Sequence, residues 1–147
     1  MWQKNWSHFS GAALLAFVAL LTAGASGVAL AHDDAYLDAQ KAPHGGQLRM
    51  AGAQHLELVL VKDSASVRDN PIVVYVTDHA GQALSTQGAT GTITLLSGKN
   101  KVTAALQPDG ENRLKAVAQY GSTPGIKAVV SVQLKGQGAQ QARFTPF

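Results

Sequence analysis

The feature that most constrains the fold is a period of two. In "QHLELVLVK", residues 54–62, Leu56, Leu58 and Leu60 alternate with His55, Glu57 and Val59. Successive side chains of an extended chain point to opposite faces, so such a run builds a strand with one apolar face. Further runs with strand character follow: "PIVVYVTD", "TGTITLLSG", "KVTAALQ", "RLKAVAQY", "IKAVVSVQL" and the closing "QARFTPF". Turn residues separate them, in "SGKN", "QPDGEN" and "GSTPG", and "KGQGAQQ" reads as a further loop or hairpin tip. Ala-rich "KVTAALQ" could pass for helix, but its β-branched neighbours and flanking turns favour a strand. No 3.6-residue stripe occurs beyond the N-terminal region, and no internal repeat is visible. About seven short strands at regular spacing predict an all-β, antiparallel sandwich or small barrel over residues 43–147.

Residues 1–31 have a different character. Lys4 gives a positive start, "ALLAFVALLT" an uncharged apolar run, and Ala29-Leu30-Ala31 a cleavage pattern of small residues. These are the parts of a secretory signal, with cleavage after Ala31 or after Ala25. The rival is an uncleaved membrane anchor, against which Gly24 and Gly27 interrupt the run. The expected setting is the periplasm, with no stable membrane insertion once the signal is removed. Residues 32–42, "HDDAYLDAQKA", are polar and predict a flexible leader.

Cysteine is absent. That excludes disulfides, thiol chemistry and a lipid anchor on cysteine, so the core alone must hold an exported fold. Beyond residue 31 the only methionine is Met50, too little for a thioether Cu(I) site. The formal net charge is +3, with Lys and Arg scattered singly, so no stripe suited to nucleic acid exists.

The histidines are the chemistry-bearing residues. In "APHGGQLRMAGAQHLELVL" a two-residue loop at Ala51-Gly52 would pair Met50 with Ala53. That register sets Leu48 opposite His55 and Gly46 opposite Glu57. His44, His55 and Glu57 then share a face, and the leucines face the core. A one-residue slip would separate His44 from His55. "TDHAGQ" adds Asp78 and His79 at a turn. Imidazoles plus carboxylates without sulfur suit Zn(II), Cu(II), Co(II) or Ni(II). The same residues also suit a solvated sheet face, a loop cap and a turn. If cleavage follows Ala31, His32 becomes N-terminal, and its amine and ring could chelate Cu(II).

The ordered strings "APHGGQLRMAGAQHLELVL", "VYVTDHAGQAL" and "STQGATGTITLLSG" resemble the β-rich N-terminal domain of periplasmic adaptor subunits in cobalt–zinc–cadmium type heavy-metal RND efflux pumps, over residues 42–147. The resemblance implies an immunoglobulin-like sandwich and periplasmic metal handling, with His44, His55, Glu57, Asp78 and His79 as the matching positions. Full adaptors also carry a coiled-coil hairpin and a lipoyl-like domain, neither of which is expected from residues 1–147. The expected function is binding of a divalent transition metal ion, with a heavy-metal efflux system as partner. The alternative is a metal-free protein–protein interaction module of the cell envelope. No nucleophile–base arrangement or phosphate loop is evident, so no enzyme is expected.

Overall fold

The computed structural model describes residues 34–145. The expected signal segment, His32 and the last two residues lie outside them. The described chain is all-β apart from one short helix, α1 (Asp34–Asp38). Among the described residues no helix is long and apolar enough to cross a membrane.

Eight strands form rather than about seven: β1 (Gln47–Ala51), β2 (Gln54–Leu60), β3 (Arg68–Thr77), β4 (Thr90–Ser97), β5 (Asn100–Pro108), β6 (Arg113–Tyr120), β7 (Lys127–Gln133) and β8 (Gln140–Phe144). Their order is β1-β2-β3-β6-β5-β4-β7-β8, and every ladder is antiparallel. β5 joins the two halves of this sheet. It pairs with β4 along most of its length but meets β6 only at Gln107–Lys115 and Pro108–Leu114. The sheet curls until its end strands, β1 and β8, approach one another. Alternate residues therefore converge inside. Leu56, Leu58, Ile72, Val74, Leu106, Leu114, Val130, Val132 and Phe144 are fully buried in one core. With no disulfide available, removal of this apolar surface from water holds the fold.

β3 begins three residues before the expected proline start. Pro71 is tolerated inside it because the β2–β3 ladder ends at Leu60–Ile72, so no partner on β2 needs the missing N–H. A side chain bridges the two strands there instead. The Tyr120 hydroxyl accepts from Val61 N at 3.0 Å and donates to Pro71 O at 2.6 Å. Burial pushes this phenol above its ordinary value of 10.0, and the Val61 N–H partly opposes the shift. Tyr120→Phe strips two backbone groups of their partner and is expected to cost about 2 kcal/mol in chemical denaturation. Because the folded value is raised, Tyr120 stabilises fully below pH 10.0, and that contribution declines at higher pH as the unfolded chain ionises first. A pH series on both proteins should show this alkaline decline in the parent and not in Tyr120→Phe. Equal slopes would contradict the assignment.

The segment expected to be a flexible leader instead carries α1 and docks. Leu37 is 2% exposed, and the strap that joins α1 to β1, residues 39–46, contributes the buried Ala42. Asp34 and Asp38, one turn apart, both face the buried Arg49 of β1, at 3.8 and 2.6 Å. Five residues are too few for a helical pattern to register in sequence, and a helix of this length depends on tertiary contacts.

Candidate functional site

The β1–β2 hairpin turns at Gly52-Ala53, one residue later than expected. Ala51 pairs with Gln54, Met50 with His55 and Leu48 with Glu57. Gly52, with φ +60°, takes the first loop position. Moving the tip by one residue shifts the register by two, which preserves the faces. The leucine trio is buried in the core as expected. The opposite face is not solvated, however: His55 and Glu57 are only 7% and 3% exposed. Beside them the segment from α1 to Gly46 contributes Tyr36, Gln40, Lys41, Pro43 and His44 to a common cavity.

Glu57 organises this cover. Its Oε1 accepts from His44 N at 2.8 Å and from Gly46 N at 3.0 Å. Its Oε2 accepts from His44 Nδ1 at 2.8 Å. One buried carboxylate thus gathers three donors from the strap, which compensates the cost of burying it. On β3, Tyr75 sits directly opposite Glu57, and its ring lies flat on the His44 imidazole, 3.5 Å between centroids and 4° between planes.

The second pair of imidazoles comes from β2 and the turn after β3. His55 and His79 stack at 4.9 Å with 17° between planes. Asp78 shapes that turn, since its Oδ1 accepts from Ala80 N and Gln82 N, both at 2.8 Å. The turn places His79 so that its Nε2 lies 3.1 Å from Gly52 O at the hairpin tip. A carbonyl oxygen can only accept, so Nε2 carries the proton, and in the neutral ring the lone pair is on Nδ1. The same reasoning puts the His44 proton on Nδ1 against Glu57 and its lone pair on Nε2.

His44, His55, Glu57, Tyr75 and His79 all line one cavity of about 220 Å³. Four of the expected residues are therefore brought together from the strap, β2 and the turn after β3. Asp78 is not among the cavity's lining residues, and His32 lies outside the described residues. Among the described residues, no three His, Asp or Glu side chains already form a metal-holding group. Sequence reasoning missed Tyr75, Tyr36 and Lys41. Tyr75 had a signal. Alternation in "PIVVYVTD" turns it away from the core face of Ile72, Val74 and Val76, and so onto the side where Glu57 lies.

No family model, curated protein or solved structure matches the chain.

Proposed function

We propose that this chain is an exported periplasmic protein that binds a divalent transition metal ion through His44, His55 and His79, and buffers the ion or passes it to a heavy-metal efflux system. The observation that carries this reading is the pairing of two imidazoles with oxygen acceptors. Metal-binding histidines generally donate their second ring N–H to a carboxylate or carbonyl, which fixes the tautomer and raises the basicity of the other nitrogen. His44 has Glu57 in that role and His79 has Gly52 O. Glu57 then acts as the orienting carboxylate and Asp78 as the residue that shapes the His79 turn. His55 is the buried member, and His44 and His79 line the same cavity from its exposed side. Zn(II), Cu(II), Co(II) and Ni(II) all accept such a nitrogen set.

We also read the fold as an immunoglobulin-like sandwich with one added N-terminal strand. With β1 set aside, β2-β3-β6 and β4-β7-β8 follow the order of the A-B-E and C-F-G strands, while β5 departs from a D strand by pairing mainly with β4. This topology and the histidine strings support the resemblance to the efflux adaptor domain.

Calorimetric titration with each of the four ions tests the metal reading. One equivalent should bind, and His44→Ala, His55→Ala and His79→Ala should each weaken it at least about tenfold, with Glu57→Gln losing about 10–100-fold. Co(II) should give the absorption bands of a nitrogen-rich site. Absence of stoichiometric binding, or histidine variants that bind like the parent while remaining folded, would sink the proposal.

A further inference from the structure

A second cavity, of about 520 Å³, lies on the other side of the strap. Leu48, Leu60, Pro124 and Ile126 line it, together with Leu37 of α1 and Ala42 of the strap. It is more than twice the volume of the histidine cavity, and no histidine lines it. Pockets that enclose small organic ligands run from about 300 to 1,000 Å³, with apolar walls and a few placed polar groups.

One wall is braced. Tyr120 is held through its hydroxyl by Val61 and Pro71. Ser122 donates its N–H to Ser64 O, accepts from Ser64 N on Oγ, and donates the same hydroxyl to Val61 O. The opposite wall is the strap, which Lys62 Nζ ties through Gly45 O at 3.0 Å. Both walls are thus held by hydrogen bonds, which leaves a preformed cleft that admits a ligand without rebuilding the core.

The polar groups define the ligand. Lys62 donates to Gly45 O, and Asp38 is paired with Arg49 at 2.6 Å. Gln47 also lines the cleft, and its Oε1 is buried with no hydrogen-bond partner among the described residues. A buried acceptor left without a donor is costly, and a ligand O–H or N–H would relieve it. The Gln47 amide can turn towards the cleft about χ3, a soft torsion. We propose that this cleft binds a small, mostly apolar molecule carrying one hydrogen-bond donor. The inference is independent of the metal reading.

N-phenyl-1-naphthylamine, an uncharged apolar fluorophore with one N–H, is a suitable probe for the purified protein. Saturable binding of one equivalent is expected. 1-Decanol should displace it, and methyl decanoate should do so about fivefold less well, because the ester brings no donor. Gln47→Leu should weaken binding about fivefold, the size of one hydrogen bond. Pro124→Trp, a substitution at an exposed residue on the rim, should block the cleft and weaken binding at least about tenfold by filling it. Thermal melts of both variants establish that they are folded. Non-saturating uptake, methyl decanoate competing as well as decanol, or either folded variant binding as tightly as the parent would overturn the proposal.

Discussion

Glu57→Leu is expected to lose about 3 kcal/mol of unfolding free energy, whereas Glu57→Gln should lose about 1 kcal/mol. Leucine fills a similar volume and suits a strand, so packing and propensity change little. What disappears is the acceptor for three donors: His44 N, Gly46 N and His44 Nδ1. Both amides sit where Glu57 is 3% exposed, so water cannot replace the carboxylate without opening the strap. Glutamine keeps one oxygen for the two amides and forfeits the charge-assisted bond to the imidazole. Urea unfolding followed by far-UV circular dichroism measures both, since the tryptophans, Trp2 and Trp6, lie outside the described residues. A leucine variant within about 0.5 kcal/mol of the parent would show that the strap does not depend on this carboxylate.

Much of the β architecture was legible in the alternation. The runs read as strands at 54–62, 90–98, 113–120 and 126–134 all form strands close to those limits, the first ending two residues earlier, at Leu60. The leucine face of β2 was legible too, because period two fixes faces whatever the exact loop. The loop itself was not. Ala51-Gly52 and Gly52-Ala53 are both two-residue tips containing the glycine, and local sequence does not choose between them. The burial of His55 and Glu57 was also hidden. It depends on α1 and the strap, whose docking rests on Leu37 and on Arg49 between two aspartates, contacts between segments that read as polar when taken alone. The convergence of His79 on His55 depends on the Asp78 turn and on the β2–β3 register, where His55 faces Thr77. Residue types suggested the cluster, and only the ladder brings it together.

Gly46→Ala is expected to cost about 3 kcal/mol or more, and Gly45→Ala only about 1 kcal/mol. The two glycines are neighbours, yet each is required for a different reason. Gly45 has φ +73°, where an L side chain is strained, but a Cβ there would meet nothing within 4 Å. Its penalty is conformational alone. Gly46 has no such dihedral. A Cβ on it would overlap Leu58 O and lie 2.9 Å from both Leu58 C and Val59 Cγ2. Leu58 is fully buried in the core and paired to Gln47 and Val74, so its carbonyl cannot retreat. The strap must move out instead, which draws Gly46 N and then His44 away from Glu57. Gly46→Ala should therefore reproduce part of the Glu57→Leu defect, and the double variant should be less destabilised than the sum of the two, because both break the same set of bonds. Denaturation of the four proteins of that cycle measures the coupling. Additive losses, or a Gly45→Ala cost equal to that of Gly46→Ala, would mean that the close approach at Leu58 does not hold the strap on its carboxylate.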